Sequence, residues 1–153
     1  MSPKDLVKQY LPSVNIMQLA TCVDNQPWAC SLHYYSDDDF NLYWISKPKS
    51  RHSQEIELNP NVAVTIKVYE NETPKDTVIG VSFEGVAKLA SESEVQNAAK
   101  GYQRKHHTDE AFLKEVVAGK NPYVFYTVKP TKVVLFDNKN FPDDPRQEWR
   151  VDT

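Results

Sequence analysis

The chain holds 153 residues, with 18 Lys and Arg against 21 Asp and Glu for a formal charge of −3, and only two cysteines. A chain of this length buries a core without disulfide or metal staples, so a single domain over 1–153 is expected, ending in a polar tail from about residue 138. The mild acidity argues against nucleic acid or an anionic membrane as a partner. No apolar run approaches the roughly 20 residues of a membrane helix, no secretory leader core is read, and sparse cysteine fits a cytoplasmic compartment.

Ser2-Pro3-Lys4-Asp5 reads as a helix start, with an N-cap hydroxyl, a proline at the first helical position and an acid at the third. Leu6, Val7, Tyr10 and Leu11 form its apolar face, and Pro12 ends it. A strand is expected from Val14 to Val23, a turn at Asp24-Asn25-Gln26-Pro27, and a returning strand from Trp28 to Tyr35. Cys22 and Cys30 fall in this hairpin, either facing each other across it or packing as small apolar residues. Ser36-Asp37-Asp38-Asp39 lacks the glycine and distal glutamate of a calcium loop and reads as a hairpin tip.

A third strand runs from Phe40 to Ser46, and a short helix from Ser50 to Leu58 stops at Asn59-Pro60. Val62, Val64, Ile66 and Val68 alternate along a strand from Asn61 to Tyr69, followed by a loop over 71–75. The segment from Thr77 to Leu89 is a long strand with Gly80 and Gly85 as bulge or close-approach positions. Ser91 and Glu94 cap a helix reaching about Lys105, and a further helix spans Thr108 to Val117. His106 and His107 are adjacent and share no helix face, so no metal site is expected there. Two strands, Tyr123 to Val128 and Thr131 to Phe136, flank Lys129-Pro130, and Phe141, Trp149 and Val151 are the apolar anchors of the tail. Strands in antiparallel succession with tight turns favour a closed or partly closed barrel, mainly β with helices (α+β).

The chain carries no nucleophile elbow, P-loop, GxGxxG or HExxH motif. Ser31 and His33 share a strand face without an acid to orient the base, and Glu55 and Glu57 read as solvated residues of a surface helix. The turn of Lys49, Ser50, Arg51 and His52 is the remaining chemical feature. It combines cations and a hydroxyl with the free N–H groups of a helix start, which suits a phosphate; a capped surface helix with solvated charges is the alternative. With little chemistry of the chain's own, a cofactor that carries the reaction is the sensible expectation.

The succession Trp28-Ala29-Cys30-Ser31-Leu32-His33, Leu42-Tyr43-Trp44-Ile45-Ser46, Ser50-Arg51-His52, Asn59-Pro60-Asn61-Val62-Ala63 and Phe83-Glu84-Gly85 resembles the FMN-binding split-barrel superfamily, the group around pyridoxamine 5'-phosphate oxidase. Val128-Lys129-Pro130 and the run from Lys132 to Asp137 resemble its closing strands. The resemblance implies a six-stranded antiparallel split β-barrel and a homodimer with FMN at the subunit interface. It implies a flavin-dependent oxidoreductase acting with a small-molecule substrate or electron donor. FAD, a deazaflavin or haem stand as alternative cofactors, and a non-catalytic flavin- or haem-binding carrier or sensor as the alternative role. By position, Ser46, Lys49, Ser50, Arg51 and His52 would receive the phosphate and ribityl chain, with Ile45 a further cofactor contact. Ala29, Cys30, Ser31 and Leu32 would lie along the flavin ring, with Tyr102 and Trp149 reaching in from the second subunit. Three departures stand out: His52 replaces a lysine, Gly80 replaces a flavin-contacting glutamine, and the tail around Trp149 lacks the arginine-rich signature of the oxidase. The chain is therefore not expected to oxidise pyridoxamine phosphate itself.

Overall fold

The computed structural model describes residues 1–68 and 74–151. Helix α1 (Pro3–Ser13) begins with a capping box in which Ser2 and Asp5 satisfy each other's backbone N–H groups. It buries Leu6, Val7, Tyr10 and Leu11. Strands β1 (Ile16–Val23) and β2 (Gln26–His33) pair from Ile16 opposite His33 to Val23 opposite Gln26. The turn between them is two residues rather than the four expected, because Asp24 and Asn25 both accept positive φ, 51° and 64°. In this register Cys22 faces Pro27 and Cys30 faces Leu19, so the two thiols do not meet and both are free.

The second hairpin is short. A two-residue strand β3 (Tyr35–Ser36) pairs with β4 (Leu42–Ser46), and the Asp37 carboxylate accepts from the backbone of Asp39 and Asn41 across the tip. Phe40, at φ 67°, belongs to this turn and not to the strand expected from it. Helix α2 (Arg51–Leu58) leads into β5 (Asn61–Lys67), whose even positions point inward. The expected end of that strand at Tyr69 and most of the expected loop over 71–75 lie outside the described residues. Strand β6 (Ile79–Leu89), helices α3 (Glu92–His106) and α4 (Glu110–Val117), β7 (Val124–Asp137) and β8 (Arg146–Arg150) complete the described order.

One antiparallel sheet in the order β2-β1-β5-β6-β7-β4-β3, with β8 added to β7, curls into a half-barrel. Among the described residues eight strands are present against the six the resemblance implies; the additions are β3 and β8. The tail expected to be merely polar thus supplies a strand, since β7 leaves an edge free beyond β4 and Arg146 to Arg150 fill it from Phe136 to Lys132. Trp149 lies opposite Val133 and packs edge-on against Phe40 at 6.2 Å.

Strand β7 is also continuous where two strands were expected. Pro130 has no N–H to give, and it falls opposite Gly85, where the β6–β7 register shifts by a bulge. A Cβ on Gly85 would sit 2.7 Å from the Lys129 carbonyl oxygen and 3.2 Å from Pro130 Cα, so glycine is what lets the strands close over the proline. Gly85→Ala is expected to destabilise the fold by about 1–3 kcal/mol through this overpacking, measured by urea denaturation with an unchanged m-value.

Candidate functional site

The turn between β4 and α2 brings several of the expected residues together. Ser46, at the buried end of β4, places its Oγ 2.8 Å from His52 Nε2, and Ser50 Oγ lies 3.3 Å from the same nitrogen. Ser50 Oγ also donates to the Lys47 carbonyl at 2.9 Å and lies 2.7 Å from Ser53 Oγ. It therefore makes no side-chain cap on α2, unlike Ser2 on α1 and Ser91 on α3. The first-turn N–H groups of α2 are left for another acceptor. Lys49 is exposed on the rim of the turn, and Ile45 packs inward with Tyr43 and Phe125.

His52 stands where the resemblance has lysine, and its environment differs from a lysine's. Burial pushes its pKa below the ordinary 6.5, while the charge of Glu55 pulls weakly the other way. At neutral pH it is an uncharged hydrogen-bonding post for Ser46 and Ser50, not a cation.

Arg51 supplies the charge. Its Nε donates to Glu55 Oε2 at 3.0 Å, and its Cζ lies 4.0 Å from the centre of the Trp28 ring on β2. Glu55 was expected to be solvated, yet its side chain is only 12% exposed, and Oε1 accepts from Thr21 Oγ1 on β1 at 2.5 Å. The hydrogen bonds from Thr21 and Arg51 hold its carboxyl below the usual range, so it is ionised. Sequence reading gave Thr21, Trp28 and Glu55 no role at the turn; the i,i+4 spacing of Arg51 and Glu55 was the one available signal.

The strand expected to face a flat ring is an edge strand, with β1 on one side and no strand on the other among the described residues. Ala29 and Ser31 are exposed on one face, while Cys30 and Leu32 pack against the core. Burial, with a contribution from Glu55, raises the Cys30 pKa, so the thiol remains protonated and lines the strand as a neutral group. At the far end of β2, His33 lies 5.2 Å from His106, whose Nε2 is 2.7 Å from the Tyr34 carbonyl oxygen. Tyr102 packs on His106 at 4.5 Å and Phe125 at 5.9 Å, and Trp149 on Phe40. Neither reaches the turn of its own chain among the described residues.

A family model described as pyridoxamine 5'-phosphate oxidase matches residues 3–137. The chain belongs to that family. Among solved structures, this member of the pyridoxamine 5'-phosphate oxidase family is similar to a heme binding protein from Mycobacterium smegmatis, with 15% identity and a TM-score of 0.79, covering 98% of this chain and 58% of that one. It thus spans little more than half the length of that relative. A conserved hypothetical protein from Mycobacterium tuberculosis shares 21% identity at a TM-score of 0.74, covering 93% and 88% of the two chains. The heme storage protein HutZ from Vibrio cholerae shares 17% at 0.63, covering 85% and 91%. At these identities the likeness shows the split-barrel fold. No curated protein matches the sequence significantly.

The depressed pKa of His52 has a definite sign. Below 6.5 the unfolded chain takes up a proton at this residue that the folded chain refuses, so stability falls as pH drops from 6.5 towards the lower folded value and is flat below both. His52→Asn is expected to flatten the stability–pH slope in the window below 6.5, read by denaturation at a series of pH values.

Proposed function

We propose that this protein binds FMN, with the phosphate at the turn of Ser46, Lys49, Ser50, Arg51 and His52 and the ring along Ala29 to Leu32, and works as a flavin-dependent oxidoreductase. The observation that carries the reading is the donor set of the turn. The start of α2 lacks a side-chain cap, and Arg51 beside it spends only Nε on Glu55 among the described residues. Those groups suit a phosphate monoester, which needs several convergent donors and takes arginine best as a fork. The free edge of β2 begins at the same place, since Trp28 touches Arg51 and Ala29 to Leu32 follow directly. A ring on that edge would meet backbone donors and acceptors, a neutral thiol and small side chains.

Bound flavin would supply electron or hydride transfer, and the chain's own residues bind, orient and shield it. A homodimer is part of the proposal. The outer sheet face forms a depression of about 370 Å³ in which the small side chains of Ala20, Ala29, Ala63, Thr65 and Ser82 lie beside Glu84, Lys132 and Arg146, and a second copy could approach it there. That copy would cover a ring left half open by one barrel. Tyr102 and Trp149 remain the residues proposed to reach the cofactor from it. The substrate or electron donor is a small molecule that enters beside the ring.

The second reading is a non-catalytic flavin- or haem-binding carrier. It is favoured by the imidazoles of His33 and His106 at the far end of β2, since imidazole is the usual axial donor to haem iron. An absorbance scan of purified protein separates these readings, because flavin and haem have distinct spectra. The expected result is a flavin spectrum and a dimer on size-exclusion chromatography; a haem spectrum, or no uptake of micromolar FMN, would overturn the first reading. Arg51→Ala is expected to weaken FMN binding by about 1.5–3 kcal/mol, measured by flavin fluorescence titration.

A further inference from the structure

We propose that Glu55 is a positioning residue for Arg51: with Thr21 behind it and Trp28 across the guanidinium face, it turns the arginine so that its two terminal amino groups alone meet the anion. This rests on the reading of the turn as a phosphate seat.

A guanidinium can grip an anion from its side, through Nε and one terminal nitrogen, or from its end, through both terminal nitrogens. Glu55 Oε2 occupies the Nε side at 3.0 Å, and the Trp28 ring, 4.0 Å from Cζ, covers one face. Among the described residues no other hydrogen bond engages Arg51, so the end of the fork is what remains. Glu55 is itself fixed, because each of its oxygens has its own donor, Arg51 on one and the buried hydroxyl of Thr21 on the other. Glu55 of α2, itself held by β1, and Trp28 of β2 thus fix one side chain that is 49% exposed and would otherwise sample many rotamers. Fixing it in advance removes an ordering cost from binding.

The charge of Glu55 points to the same conclusion. A carboxylate beside an anion seat opposes the ligand electrostatically. A seat built for net charge alone would not hold one at hydrogen-bond distance from its arginine, with His52 uncharged as well. What Glu55 contributes is geometry.

Dissociation constants of FMN and riboflavin for the full chain test this, because their ratio isolates the phosphate. Wild-type protein is expected to prefer FMN, and Glu55→Ala to lower that preference by about tenfold, the scale of one misdirected charge-assisted contact. Glu55→Gln is expected to keep or exceed the wild-type ratio, since its amide oxygen accepts from Arg51, its NH2 donates to Thr21 and the opposing charge is gone. Thr21→Val, which leaves the pair but frees the carboxylate, is expected to fall between. If the Ala and Val variants melt earlier yet keep the ratio, Glu55 only anchors α2 and the inference is overturned; a Gln variant as impaired as Ala overturns it too. Should Glu55→Ala not fold, Thr21→Val decides by the same ratio. A wild-type ratio of one would instead overturn the phosphate seat itself, and this inference with it.

Discussion

The two ends of the sheet, β2 and β3, are separated in the chain by Tyr34 alone, and that single residue ties the curled sheet into a barrel. Tyr34 is fully buried, and its hydroxyl donates to the Leu11 carbonyl at 2.6 Å at the end of α1. Lys105 from α3 donates to the same carbonyl at 3.1 Å and sits 3.7 Å above the tyrosine ring. A backbone acceptor, a hydroxyl and an ammonium therefore fasten two helices over the one place where no ladder of hydrogen bonds closes the sheet. Burial makes this fastening firm, since each of these polar groups would be expensive to leave unpaired.

The consequence for the site is geometric. Because among the described residues the sheet does not close by strand pairing, β2 keeps a free edge there, and because β2 starts beside α2, that edge begins at Arg51. The interior is filled by side chains such as Trp44, stacked on Tyr126 at 5.6 Å, Phe83 and Leu135, so it is a core and not a ligand cavity. The filled interior leaves the small residues of the sheet, such as Ala20, Ala29 and Ala63, on its outer face.

Much of this was legible in the chain. The hydroxyl–acid pairs at Ser2 and Asp5 and at Ser91 and Glu94 marked two helix starts, and alternation from Val62 to Val68 marked a strand, because capping and pleating are local and leave periodic traces. The expected turn at Ser50 and Arg51 exists, and Ser46, Ser50 and His52 do meet. Other features left no such trace. Pro130 reads as a strand break unless the bulge at Gly85 across from it is known. Arg146 to Arg150 reads as tail unless β7 is known to have a vacant edge. Glu55 reads as solvated until Thr21, 34 residues away, is brought against it.

By itself, then, the amino-acid order determined the four helices and the strands up to β6 other than β3, the antiparallel succession with its split-barrel likeness, and the position of the basic turn after an apolar strand. These follow from propensity, capping and period, which act over a few residues. Only the tertiary structure decided that His52 is a buried neutral post, that Arg51 is clasped between Glu55 and Trp28, and that the strand beside it is an open edge. Each of those depends on burial or on contact between segments distant in the chain, and neither is written in any local pattern.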